Sequence, residues 1–252
     1  MNSIQRLHQV LQDYQPISLE ETQTAALMDR VEFKYLTDIA TLLEMLPQAK
    51  DLYRLLRIDG EGVMGYYSIY YDTPEFALFK AHHTDRPARY KVRYRHYEQT
   101  HSTFLELKQR TRQGRTHKER VAVDRQDTLM REQFLADRVQ DHLLEAKLEV
   151  QYRRITLVSQ DPPERLTFDL GLTFSRPDDG QTTGFEHVVV AELKTGQSYQ
   201  AALFPQMVRR FHLKGGGFSK YGVGCCQLYP QLPHNRFKPQ LLSARRIEHG
   251  YC

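Results

Sequence analysis

Between residues 88 and 97 the chain alternates strictly, with Arg89, Lys91, Arg93 and Arg95 separated by Tyr90, Val92 and Tyr94. Successive side chains of a β-strand point to opposite faces. One face of this strand is therefore wholly cationic and the other apolar or aromatic. The same two-residue period recurs along the chain. Arg30, Glu32 and Lys34 oppose Val31, Phe33 and Tyr35, and Glu106 and Lys108 oppose Leu105 and Leu107. Lys118 and Arg120 oppose Val121 and Val123, and Arg165, Thr167 and Asp169 oppose Leu166 and Phe168. Glu192 and Lys194 oppose Val189, Ala191 and Leu193.

The pattern predicts strands at 30–36, 52–58, 66–72, 88–97, 103–110, 117–124, 147–158, 164–170 and 187–194. Helical spacing predicts an amphipathic helix within 1–26 and a helix near 38–46 with Thr37 or Asp38 as N-cap. Further helices are expected at 127–144, at 199–213, and from Ser219 after Gly215-Gly216-Gly217. Residues 1–27 read as an N-terminal helix and connector, 28–230 as one domain, and 231–252 as a basic, solvated tail carrying Arg236, Lys238, Arg245 and Arg246. The order is that of an α+β fold dominated by antiparallel strands.

Four like charges on one strand face repel each other unless something anionic lies among them. Six such strands side by side have a physical solution in closure. An antiparallel eight-stranded β-barrel can keep the charges in a wet tunnel, with helices packed outside on the apolar face. Buried without counter-charge the cations would be costly, so the lumen must hold water, ions or an anionic ligand. An open, salt-bridged sheet is the simpler competing reading.

Composition narrows the partners. The 252 residues carry a net charge of only +4, so the basicity lies in placement. Tyr90 and Tyr94 point away from the cations of their strand, whereas single-strand RNA readers set aromatics beside the cations on one face. Nucleic acid is accordingly not expected. No apolar run approaches the roughly 20 residues that span a bilayer, and the start lacks a secretory pattern. Three cysteines, two of them adjacent, suggest neither a disulfide framework nor a zinc site. A soluble, cytoplasmic protein is the expectation. Lys214 to Lys220 lacks the spacing of a P-loop. Asp72 is expected to cap a helix beginning near Pro74, and His82-His83 to be a surface pair.

Several short stretches, taken in order, resemble the VTC-type polyphosphate polymerase domain of the triphosphate tunnel (CYTH-like) superfamily. They are Arg30-Val-Glu32-Phe-Lys34-Tyr35, Tyr70-Tyr71-Asp72-Thr73, Arg89 to Arg95, Phe104-Leu-Glu106-Leu-Lys108, Tyr152-Arg153-Arg154, Arg165 to Asp169, Glu192-Leu-Lys194 and Ser219-Lys220-Tyr221. The resemblance implies a tunnel that binds triphosphate or polyphosphate with a divalent metal, Mn²⁺ or Mg²⁺. It implies ATP and inorganic polyphosphate as partners, and transfer of the ATP γ-phosphate to a growing chain. Hydrolases of the superfamily carry Glu-x-Glu-x-Lys on the first strand; Arg30 replaces the first Glu, which favours the polymerase branch.

On this reading Arg93, Arg95, Lys34 and Lys220 are the catalytic cations. Arg89, Lys91, Lys108, Lys118, Arg120, Arg154, Arg165 and Lys194 complete the phosphate-binding lining. Glu192, then Glu106, are the metal-ligand candidates. The acceptor is itself a phosphate oxyanion, so no general base is required. Asp169 is expected to pair with the lining and Arg153 to face outward. Two other functions fit the same residues: a triphosphate or polyphosphate hydrolase, and a non-catalytic polyphosphate-binding sensor.

Overall fold

The computed structural model describes residues 2–24, 31–124, 133–135, 139, 143–196 and 198–250. The helices in chain order are α1 (Ser3–Gln12), α2 (Leu19–Thr24), α3 (Ile39–Ala49), α4 (Ala77–His83), α5 (Phe204–Arg210), α6 (Lys220–Leu228) and α7 (Lys238–Glu248). The main strands are β2 (Val31–Asp38), β4 (Val63–Asp72), β5 (Arg89–Tyr97), β6 (Ser102–Arg110), β7 (Thr116–Ala122), β8 (Glu145–Gln160), β9 (Pro163–Ser175) and β11 (Val188–Thr195). Shorter strands are β1 (Pro16–Ile17), β3 (Arg54–Leu56), β10 (Thr182–Phe185) and β12 (Lys214–Gly215).

Eight strands follow one antiparallel path, β2-β11-β9-β8-β4-β5-β6-β7, extended by β12 beside β2. Among the described residues no ladder joins β7 to β2 or β12, so the tunnel wall keeps a seam. The alternating pattern sorts the two faces as the residues dictate. Phe33, Tyr35, Leu166, Phe168, Val189, Ala191 and Leu193 form a core behind the sheet with Leu7 and Leu11 of α1, Leu42 and Leu46 of α3, and Phe204 of α5. Val92, Tyr94, Leu105 and Leu107 join a second outer cluster with Leu135, Val139 and Leu144. Most of the helix expected at 127–144 lies outside the described residues, as does Arg30.

The concave face is charged over part of its area and apolar over the rest. Leu36, Leu148, Val150, Leu172, Phe174 and Val190 pack there against Phe79 of α4, Val223 and Cys225 of α6 and Ala244 and Ile247 of α7. Three helices thus pack on the inner face, in addition to those packed outside. A bulge makes this possible: Gln151 pairs with Thr173 and Arg153 with Leu170, leaving one extra residue in β9. Gly171, with φ +62°, supplies the left-handed turn. Leu166, Phe168 and Leu170 therefore face out, while Leu172 and Phe174 face in.

The expected tail is corrected. Phe237, Leu241, Ala244 and Ile247, spaced four, three and three, bury one face of α7. The Glu248 carboxylate accepts from the backbone N–H groups of Glu186, His187 and Val188 at 2.8, 2.9 and 3.3 Å. This ties the segment to the start of β11. Asp38 caps α3 through the Thr41 N–H at 2.7 Å. Asp72 caps the α4 turn, accepting from the N–H groups of Thr73, Leu78 and Phe79 and from the Tyr221 hydroxyl. The His82-His83 pair is half-buried rather than fully exposed. His82 Nε2 lies 3.0 Å from the Tyr90 carbonyl oxygen, and burial with nearby cations pushes its pKa down to about 3. Among the described residues, no helix is long and apolar enough to cross a membrane.

Candidate functional site

The charged part of the concave face encloses a cavity of about 1250 Å³. Its wall is contributed by β2, β4, β5, β6, β7, β8 and β11 and by the start of α6. Ten lysines and arginines line it against three glutamates: Lys34, Lys91, Arg93, Arg95, Lys108, Arg115, Lys118, Arg154, Lys194 and Lys220 against Glu32, Glu106 and Glu192. Strand register explains the grouping. Lys91, Lys108 and Lys118 lie on one rung of β5, β6 and β7, and Arg93, Glu106 and Arg120 on the next.

The carboxylates hold these cations in place. Arg93 donates from Nε to Glu106 at 2.7 Å and from one terminal nitrogen to the Tyr70 hydroxyl at 3.0 Å. Glu106, 2% exposed, also receives Lys118 at 2.6 Å. Burial alone would raise the Glu106 pKa, but Arg93, Arg95 and Lys118 outweigh it and hold the carboxyl well below its usual range. Arg154 grips Asp169 with two bonds of 2.5 and 2.7 Å, and Lys220 reaches the same carboxylate. Burial opposes ionisation of Asp169, yet these two cations bring its pKa down to about 2. Asp169 is thus the partner of the lining that its strand position implied. Lys220 Nζ also sits 4.5 Å from the Tyr152 ring centroid. It opens α6, whose N-cap Ser219 accepts from the Gly222 N–H at 3.1 Å.

Lys91 differs from Lys34, Lys118, Lys194 and Lys220, each of which pairs with a carboxylate. Its ammonium donates to the Ser219 hydroxyl at 3.4 Å, and among the described residues no carboxylate pairs with it. Burial, reinforced by Lys108, Arg93, Lys34 and Arg89, brings its pKa down to about 7. The cavity is therefore short of negative charge around Lys91, where an anion would be stabilised most.

Three expected residues lie off the cavity. Arg89 pairs with Asp85 at 2.8 Å beyond Lys91. Arg120 stacks over Phe104 with its guanidinium carbon 4.7 Å from the ring centroid. Arg165 donates to the Thr22 carbonyl at 3.1 Å. Arg153 is exposed on the opposite face from Arg154, as its parity requires. The residue-type reading missed Tyr70, Tyr152, Ser219 and the Gly114-Arg115-Thr116-His117 hairpin tip as lining. The two tyrosines share parity with inward-facing neighbours, which would have found them; the hairpin tip had no such signal.

A divalent cation can be tested against the donors present. Among the described residues there is no cluster of three His, Cys, Asp or Glu side chains. Glu106 is engaged by Arg93 and Lys118 and is only 2% exposed, so it does not fit, whereas the Glu192 and Glu32 side chains are 16% and 31% exposed. Glu192 and Glu32 fit better. Lys194 approaches both, at 2.5 and 4.0 Å, and Lys34 does so at 2.8 and 3.4 Å, so the two carboxylates share a wall of the cavity. One or two carboxylates completed by phosphate oxygens and water is the usual donor set for Mg²⁺.

Comparison with known proteins agrees with this geometry. A candidate adenylate cyclase from Bacillus halodurans superposes with a TM-score of 0.53 at 16% identity, over 80% of this chain and 100% of that one. HpAC1 from Hippeastrum, a candidate adenylyl cyclase described as having a dominant triphosphatase activity, superposes with a TM-score of 0.50 at 13% identity, over 81% and 99%. At such identities the likeness is one of fold. No curated protein matches the chain. The VTC domain profile matches residues 29–229, the span that builds the sheet, the cavity and α6. The chain therefore belongs to the VTC domain family and shares its fold with the Bacillus halodurans protein and HpAC1.

Proposed function

We propose that this protein is an ATP-dependent polyphosphate polymerase. The observation that carries the reading is the excess of ten cationic over three carboxylate side chains around one cavity. Phosphoryl transfer needs positioning and charge neutralisation more than covalent participation by the protein.

In the proposed step a terminal oxyanion of the chain attacks the γ-phosphorus of ATP. A new P–O–P bond forms, the bond to the β,γ-bridging oxygen breaks, and ADP leaves. Arg93, fixed by Glu106 and Tyr70, and Arg95, held by Ser68, present guanidinium forks to the phosphates. Lys34, Lys91, Lys194 and Lys220 neutralise the charge that develops on the equatorial and leaving oxygens. A divalent cation held by Glu192 and Glu32 would supply further neutralisation of the β- and γ-oxygens. Lys108, Lys118 and Arg154 complete the electrostatic wall.

The test is incubation with ATP and Mn²⁺ or Mg²⁺, followed by gel separation of products beside Arg93→Ala and Glu192→Ala. Metal-dependent ladders from the wild type, reduced at least about a hundredfold in both variants, are expected. Orthophosphate without ladders would assign the tunnel to hydrolysis, the activity described for HpAC1. Polyphosphate binding without ATP turnover would assign it to sensing.

A further inference from the structure

The cationic track does not stop at the cavity wall. Arg89 opens β5 and Arg110 closes β6, and the two are directly paired on the rung beyond Lys91 and Lys108. Direct cross-strand partners share a face, so both continue the tunnel's inner row. A third guanidinium comes from a distant part of the chain. Arg236, before α7, reaches Asp85 at 2.9 Å, and Arg89 reaches the same carboxylate oxygen at 2.8 Å. Two arginines thus share one carboxylate oxygen, on a side chain that is itself half exposed at 51%, and Arg110 stands beside Arg89 on the same rung. Asp85 turns the chain through φ +52°, a left-handed conformation that Asp tolerates better than most residues. Burial, with smaller contributions from repulsion by Arg110 and Arg236, moves the Arg89 pKa below its usual value against the pull of Asp85.

We propose that Arg89, Arg110 and Arg236 form an exit subsite that holds a polyphosphate chain as it leaves the tunnel past Lys91. The inference rests on the polymerase reading for its ligand class, but the binding it describes needs no turnover. Residues two apart on one strand face are separated by about 7 Å, so the subsite lies one step beyond the cavity. A short phosphate chain filling the cavity does not need it, and a long one must cross it. Arg236 carries the distinction from a passive salt bridge. A structural tie to Asp85 is already made by Arg89, whereas a second arginine on the same oxygen leaves net positive charge facing solvent.

The experiment compares binding of inorganic tripolyphosphate and long-chain polyphosphate, by calorimetry on the full chain without ATP. The variants are Arg110→Ala, Arg236→Ala and the double variant, each checked for an unchanged melting temperature. The wild type is expected to bind the long chain more tightly per molecule than tripolyphosphate. The double variant should lose about tenfold for the long chain and little for tripolyphosphate, and its slope of log affinity against log salt should flatten by about one to two. Arg236→Lys should restore most of the loss.

Equal loss for both ligands, or no loss for either, overturns the subsite. So does a wild type that makes no distinction of length. A wild type that distinguishes length and shows the variant effect, yet makes no ladders from ATP, sinks the polymerase reading while the subsite stands.

Discussion

Lys91 is the residue on which the electrostatics of the tunnel turn. Its folded pKa, about 7, lies below the usual lysine value of 10.5 because burial and four neighbouring cations oppose its charge. The sign of the linkage follows. Between about 7 and 10.5 the unfolded chain holds this proton and the folded chain does not, so stability from this group falls as pH drops toward 7 and then levels. A polyanion in the cavity reverses the preference and raises the pKa. Binding of polyphosphate near pH 8 should therefore take up a proton, and affinity should weaken toward higher pH by up to about tenfold per unit until the bound-state pKa is passed. Calorimetry in buffers of different ionisation enthalpy measures the uptake. Lys91→Met should abolish it, and an unchanged proton count in that variant would refute the assignment.

Several residue roles were legible from type and parity alone. Arg93, Arg95, Lys34 and Lys194 alternate with neighbours that are mostly apolar or aromatic, Arg154 has the parity opposite to outward Arg153, and all five line the cavity. Arg165 and Arg120 obey the same alternation but stand where the strand has left the cavity, and parity carries no information about position along the tunnel. Glu106 was legible as inward-facing, but its engagement by Arg93 and Lys118 depends on which strands are neighbours.

At the scale of elements, the turn in parity at Gly171 decides what the concave face becomes. Alternation read straight through β9 would send Leu172 and Phe174 outward. The extra residue instead turns them inward, where they meet α6. An added Cβ at Gly171 meets nothing within 4 Å, so substitution costs backbone strain alone. Gly171→Ala should lower stability by about 1–2 kcal/mol, measured by urea unfolding. Deletion of Gly171 should do far more, because it returns both side chains to the wrong face. Equal, small effects of the two changes would contradict the bulge's role.

Helix α7 was hidden for a different reason. Its exposed face carries Lys238, Arg245 and Arg246, and the local charge obscured the apolar stripe from Phe237 to Ile247. Glu248→Ala removes the acceptor of three backbone N–H groups and should cost about 1–2 kcal/mol. Glu248→Gln should recover part of that loss, and a melting curve unaltered in both would show that the contact contributes nothing.

On the scale of the whole molecule, alternating strands, their order and the family motifs conveyed the tunnel, because charge on one face and apolar residues on the other admit few architectures. Entry of α6 and α7 into the concave face was not legible, since it depends on contacts between segments far apart in sequence. The resulting body is closed on one part of its inner surface by an apolar plug and open on the other as a cationic cavity.

The most direct measurement follows the γ-phosphate itself. ATP labelled at the γ-position, and separately at the α-position, would be incubated with the protein and Mn²⁺, and the products resolved by chain length. The account predicts γ-label in polymer, one ADP released per phosphate added, and no α-label outside nucleotide di- and triphosphates. All γ-label in orthophosphate, or α-label in a cyclic nucleotide, would contradict it.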